Sequence, residues 1–294
     1  IVHGFSIIFY FIMTDHKKGL LAVFISAALW STGGIFIKLI SWDAFQLGGI
    51  RSFIAALVIL AVYRTKSLKF SGASLLNALL YSGVMILFVL ATKKTTAANA
   101  IFLQYTAPIY VLIFEPLLLK VKFERINLYA ILITFGGMLL FFIGELSPGH
   151  FEGNIIALIT GVILAGFFLG LKKIPTDMQP SSIFYGNIFA AAIGLFISGF
   201  PADAAISDIG MVTFLGVFQI GIPYIVFSYG LTKVQAIEAS LIAMIEPVLN
   251  PVWVLFWYGE APAPYAILGG IVILISVGVR SFLSERQKNT RLKA

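Results

Sequence analysis

The 294 residues are 60% hydrophobic and only 11% charged, against roughly 25% charged in soluble domains, so most of the chain must be solvated by lipid. Cysteine is absent, which excludes a disulfide framework, a thiol nucleophile and a cysteine metal site. The net charge of +7 comes from Lys and Arg grouped between apolar runs, a topology signal and not a nucleic-acid footprint.

Ile1 to Ile12 precede a start-like Met13-Thr14-Asp15-His16-Lys17-Lys18. They lack the charged n-region and small-residue cleavage site of a signal peptide, and are expected to be an extension upstream of a natural start at Met13. Apolar runs then follow at about Leu20–Ile40, Phe45–Tyr63, Leu75–Thr92, Ala97–Leu119 and Leu128–Gly144. Five more lie at about Asn154–Leu171, Ile183–Phe200, Met211–Leu231, Ala236–Tyr258 and Tyr265–Leu283. Each approaches the ~20 residues needed to cross a bilayer. Lipid cannot satisfy backbone polar groups, so the runs are helices, not isolated strands.

Threaded with the N-terminus inside, cytoplasmic segments hold 16 of the 20 basic residues. These include Lys17, Lys18, Lys66, Lys120, Lys122, Arg125, Lys172, Lys173, Lys233 and the tail from Arg280 onward. The opposite loops carry Asp43, Glu145, Glu152, Asp203, Asp208 and Glu260. The positive-inside rule then selects both termini inside and an even helix count.

The chain also repeats itself. A shift of 139 positions lays Phe88 on Phe227, Lys94 on Lys233, Ala97 on Ala236, Ala100 on Ala239 and Pro108 on Pro247. Tyr129-Ala130-Ile131-Leu132 recurs as Tyr265-Ala266-Ile267-Leu268, and Gly19 falls on Gly153 at a shift of 134. Five crossings are an odd number, so the second copy must lie upside down. The expected fold is an all-α integral membrane protein of ten transmembrane helices in two inverted five-helix repeats. Its expected parts are an N-terminal segment 1–16, repeats 17–144 and 153–283, and a basic tail 284–294.

The first run reads Ala28-Leu29-Trp30-Ser31-Thr32-Gly33-Gly34, and the second carries Ile50-Arg51-Ser52-Phe53. The fourth opens with Thr95-Thr96-Ala97-Ala98-Asn99-Ala100 and reaches Pro108. The ninth has Glu238-Ala239-Ser240-Leu241, then Ile245-Glu246-Pro247-Val248, and ends at Tyr258-Gly259-Glu260. Over Lys17–Leu283 this resembles the ten-helix, EamA-type branch of the drug/metabolite transporter superfamily. The Gly-Glu closing the ninth run has no counterpart after the fourth, where Lys120 to Arg125 stand. The resemblance implies a secondary transporter in a bacterial-type inner membrane, with export of amino acids or related metabolites the usual expectation and uptake left open.

Ionisable groups inside a membrane are costly and so are candidates for function. Glu246, beside Pro247, is either a proton or cation site or a carboxylate locked to Arg51 or to a freed backbone amide. Arg51 could bind an anionic substrate group or serve a structural pair. Glu115 shares a helical stripe with Gln104, Pro108 and Val111; it lines a polar cavity or, on the reading preferred here, pairs with Lys120 or Lys122. Trp30 is a cavity wall or plain packing. Tyr81, Tyr105, Gln219, Tyr224 and Asn250 are further pore-lining candidates. Gly33, Gly34, Gly166 and Gly170 suit helix contact, and Pro108 and Pro247 local opening of the helices.

No Walker loop is present, so ATP hydrolysis is not intrinsic, and the sequence calls for no cofactor or metal. The partners implied are a small-molecule substrate and the bilayer, with proton coupling left open and nucleic acid excluded. A membrane-embedded enzyme would need a nucleophile–base pair or metal cluster, and a receptor or scaffold long loops or an appended domain; neither pattern is found.

Overall fold

A computed structural model describes residues 13–143, 148–258 and 263–293. The side-chain surroundings of residues 34, 35, 38, 97, 250, 251, 254, 257, 258 and 285–293 are left aside. The expectations for residues 1–12, Gly34, Lys38, Glu145, Asn250, Glu260 and the tail side chains therefore fall outside the described residues.

Among the described residues there is no strand. The helices are α1 (Asp15–Trp30), α2 (Gly33–Leu39), α3 (Ala44–Tyr63), α4 (Gly72–Lys94), α5 (Ala97–Gln104), α6 (Ala107–Leu119) and α7 (Arg125–Phe141). They continue as α8 (Phe151–Lys173), α9 (Gln179–Ser198), α10 (Ile206–Phe214), α11 (Ile222–Leu231), α12 (Ala236–Ala243), α13 (Ile245–Tyr258) and α14 (Pro264–Lys293). Seven helical stretches among the described residues are long and apolar enough to cross a membrane. The fifth apolar run forms the shorter apolar helix α7, and the first, fourth and ninth runs are interrupted, as α1–α2, α5–α6 and α12–α13.

Each interruption has a local cause. Pro108 and Pro247 lack the N–H that would close the turn begun at Gln104 and Ala243, and the helices part at Tyr105–Thr106 and at Met244. Both prolines then sit in the first turn of the following helix, where the missing donor costs nothing. In α1–α2 the break falls at Ser31–Thr32, whose hydroxyls donate to Ala28 O (2.6 Å) and Leu29 O (2.7 Å). Between α10 and α11, upstream of Pro223, Leu215–Gly221 widens into a π-helical segment, a geometry that often accompanies functional sites.

Without a hydrophobic drive between helices in lipid, close packing and buried polar bonds hold the bundle. The helix α3 crosses α9 where Gly49 meets Gly194 backbone to backbone, and α7 meets α14 at Gly137 and Gly269. Thr134 donates to Ser276 across the latter pair (2.9 Å). The start of α1 lies on the α11–α12 corner, with Gly19 against Lys233 and Val234; the start of α8 lies on the α4–α5 corner, with Gly153 against Lys94 and Thr95. Gly170 packs on Asn77 of α4 and Gly166, more loosely, on Leu80. Both glycines face α4, against side chains and not backbone.

A Cβ at residue 194 would run into the Phe45 carbonyl, while one at exposed Gly136 would meet open space. Gly194→Ala is expected to destabilise by about 1–3 kcal/mol, and Gly136→Ala to stabilise by up to about 1 kcal/mol. Thermal unfolding in detergent should move the midpoint down for the first and not down for the second.

Candidate functional site

The interruptions of α1–α2 and α5–α6 and the π segment converge on one small cavity of about 40 Å³. That is room for only a few waters, at roughly 10–15 Å³ each. Trp30, Arg51, Tyr105, Gln219, Tyr224 and Glu246 all line it. These residues come from five of the apolar runs and lie far apart in sequence. Gln104, Met85, Leu164 and Phe168 complete much of the wall.

Arg51, 1% exposed, is held by backbone and amide oxygens. Its Nη2 donates to Met85 O (2.9 Å) and its Nη1 to Gln219 Oε1 (3.4 Å). Glu246 turns to a different partner, accepting a 2.6 Å hydrogen bond from the Tyr105 hydroxyl. The two opposite charges thus face the same cavity without a hydrogen bond between them, and the Arg51–Glu246 lock is not the arrangement found. Three more polar atoms at the cavity, Arg51 Nε, Trp30 Nε1 and Gln104 Oε1, are buried and have no hydrogen-bond partner among the described residues. Buried orphans of this kind are rare in native structures, and here two donors and one acceptor occur together.

Aromatic rings form the remaining wall. Trp30 packs on Tyr224 (5.0 Å between centroids) and Phe227 (5.1 Å). Tyr81 does not line the cavity; it stands edge-on behind Tyr224 at 4.7 Å, with its hydroxyl accepting from Asn187 (3.2 Å). Gly33 lets the Gln219 side-chain amide approach closely: a Cβ there would lie 2.7 Å from it and displace it. That amide is carried inward by the π-helical segment.

Glu115 is elsewhere. Its carboxylate accepts from the backbone N–H of Ala236 (2.7 Å) and Ile237 (3.2 Å), so it caps the positive end of α12. Lys120 and Lys122 are not the partners the structure gives it. Beside it lies a network that sequence reasoning missed. The fully buried Glu238 carboxylate pairs with Arg280 and His16 (3.0 Å), and accepts from Ser284 (2.8 Å) and from the Gln235 N–H (2.9 Å). Asn127 accepts from Arg280 Nε and Nη2 (2.9 and 2.7 Å). Its signal was available: Arg280 and Asn127 are costly groups in apolar helices, but Arg280 reads as part of the basic tail until Glu238 is beside it. Near this end of the bundle Asp15 also pairs with Lys233 (3.1 Å), raising the lysine pKa by direct hydrogen bonding.

Comparison with known proteins bears on what such a site handles. The EamA-like transporter family matches twice, at residues 17–143 and 151–282. The chain belongs to that family. It is a multi-pass membrane transporter, and the family of transporters to which it belongs is not one of enzymes. An uncharacterized transporter of Archaeoglobus fulgidus is 26% identical over 268 residues, covering 89% of this chain and 95% of that protein. The threonine/homoserine exporter RhtA of Escherichia coli is 24% identical over 249 residues, 82% of each chain. A biotin transporter of Escherichia coli is 24% identical over 261 residues, 84% of this chain and 87% of that one. A protein of known crystal structure superposes with a TM-score of 0.78 at 17% identity, covering 92% of this transporter and 99% of its own chain. That likeness shows the fold alone.

Glu115 and Glu246 of the transporter should separate on mutation. Glu115→Ala removes two charge-assisted bonds and is expected to cost about 2–3 kcal/mol, read as a lower unfolding midpoint. Glu246→Gln keeps an acceptor for Tyr105 and should leave that midpoint nearly unchanged.

Proposed function

We propose that this transporter is a secondary carrier of a small organic metabolite with a zwitterionic, amino-acid-like head, working by alternating access and exporting its substrate. One observation carries the reading. A buried guanidinium and a carboxylate face one cavity without neutralising each other, next to donors on Trp30 and Arg51 and an acceptor on Gln104 that have no partner among the described residues. In this reading Arg51 receives the substrate carboxylate through its fork, and Glu246 with Gln104 receives the ammonium. Trp30 and Tyr224 pack on the apolar part, and Tyr105 positions Glu246. Gln219 orients Arg51, and Tyr81 braces Tyr224. Glu246 carries the coupled proton when no substrate ammonium holds it. The exporter among the relatives, whose name gives threonine and homoserine, supports the amino-acid class.

The architecture proposed is ten crossings in two inverted five-helix halves, 17–144 and 153–283, with both termini on the cytoplasmic side of a bacterial-type inner membrane. Crosswise contacts support it. Sequence mates Gly19 and Gly153 touch Lys233 and Lys94 respectively, and those two lysines are themselves mates. A two-fold relation requires such reciprocity. Mates also meet at the cavity: Trp30 with Leu164, Met85 with Tyr224, and Gln104 with Ala243 all line it, as expected of a site on the axis between repeats. The halves are not identical: α1 breaks at Ser31 whereas α8 runs unbroken through Ala165 and Gly166, and α10–α11 carry a π-helical segment where α4 is continuous. Two copies of one fold in unlike conformations are what alternating access exchanges.

Because the chain has no cysteine, single cysteines at Lys17, Lys173 and Glu152 report sidedness directly. The first two should react with an impermeant thiol reagent from one side and the third from the other; any other pattern refutes the topology. For function, a thermal-shift screen against amino acids and related zwitterions is followed by proteoliposome flux. Hits should move unmodified across the bilayer, Arg51→Gln should lose binding, and Glu246→Gln should bind but lose pH-dependent flux. Binding confined to non-zwitterionic solutes, or an unchanged pH profile in Glu246→Gln, would overturn the respective assignment.

A further inference from the structure

On the outside of the bundle, a cleft of about 700 Å³ runs between α7 and α14. It extends from Ile126 to Ile133 on α7 and from Val272 to Leu283 on α14, roughly 10–17 Å at 1.5 Å per residue. Ala130 and Ser276 form a low, buried floor. The walls are Tyr129, Ile133, Ile275 and Val279, each more than half exposed, so the cleft opens to the bilayer and not into the site.

Its two ends differ in chemistry. One end is closed by Ile133 and Val272 and is wholly apolar. The other runs into the start of α7, where Lys120, Lys122 and Arg125 are exposed around the single acid Glu124. There α14 continues to Lys293, adding Arg286, Lys288, Arg291 and Lys293 against Glu285 in the sequence. The floor at this end is Arg280, whose charge is already met by Glu238 and whose other nitrogens hold Asn127. An elongated apolar trough with cations at one end has the form of a phospholipid: acyl chain along the trough, phosphate at the rim.

We propose that the α7–α14 cleft is a binding site for an anionic phospholipid. One acyl chain lies on Ala130 and Ser276, and the head group is held by Lys122 and Arg125. A second copy of the chain fits less well. A two-fold pairing through the cleft would set the two basic clusters against each other, whereas an anionic head group relieves that charge. The occupant also covers Arg280, so it shields from water the ion pair that ties α14 to α12. This proposal depends on the membrane placement of α7 and α14 and not on the identity of the transported solute.

The test is native mass spectrometry of the full-length chain in detergent, titrated separately with phosphatidylglycerol and phosphatidylethanolamine. Wild type should retain phosphatidylglycerol preferentially. Lys122→Ala with Arg125→Ala should weaken that retention by roughly tenfold or more and leave phosphatidylethanolamine unchanged. Val279→Trp fills the trough from its exposed wall with the cations intact, and should lower retention of both lipids. Equal retention of the two lipids by wild type, or no response to either variant, overturns the proposal. So does efficient disulfide dimerisation of a Tyr129→Cys chain in liposomes, which would make the cleft an interface between copies.

Discussion

A bilayer offers no hydrogen bonds, and every donor or acceptor left inside it must find a protein partner or cost several kcal/mol. In this chain the places where helices break are where that constraint is most visible. Ser31, Thr32 and Thr106 turn their hydroxyls back onto carbonyls at the two breaks they flank, so irregular backbone survives at depth. Those breaks border the cavity. Non-helical backbone in a membrane is tolerated where it is buried in protein or lines a cavity, and the breaks supply the curvature that makes a cavity between otherwise rod-like elements.

The same constraint sets two pairs of charges apart. Glu238 and Arg280 are paired directly and satisfied by Asn127, Ser284, His16 and the Gln235 amide. A buried ion pair repays its desolvation only with such geometry, and this one serves to tie α1, α12 and α14 together. Arg51 and Glu246 are the other pair. Each has a modest partner of its own, Met85 O and Tyr105 respectively, and neither is neutralised by the other. On the proposed reading, charges held in that way retain capacity for a ligand, and a cavity of about 40 Å³ would have to widen to admit a metabolite.

Family membership and geometry agree on what kind of molecule this is without naming the cargo. The EamA-like match covers both halves of the chain, and relatives at about one-quarter identity carry names as different as a biotin transporter and a threonine/homoserine exporter. Substrate choice within such a fold rests on a few side chains. At the cavity, Arg51, Trp30 and Gln104 carry polar atoms with no partner among the described residues, beside the Glu246 carboxylate, and the proposed zwitterionic cargo follows from them and not from the fold.

The sequence alone was sufficient for the all-helical membrane character, because composition and run length are imposed by hydrocarbon thickness. It also marked Trp30, Arg51, Tyr105, Gln219, Tyr224 and Glu246, since polar and aromatic groups in apolar helices stand out locally. Partnership was not legible. Whether Arg51 met Glu246, whether Glu115 met Lys120 or a helix terminus, and whether Arg280 belonged to the tail or to a buried pair depended on contacts between residues more than 100 positions apart or in separate helices. Helix periodicity says which face a residue occupies but not which helix that face meets. Only the packed bundle decided that, because close glycine crossings such as Gly49 with Gly194 set which helices lie together.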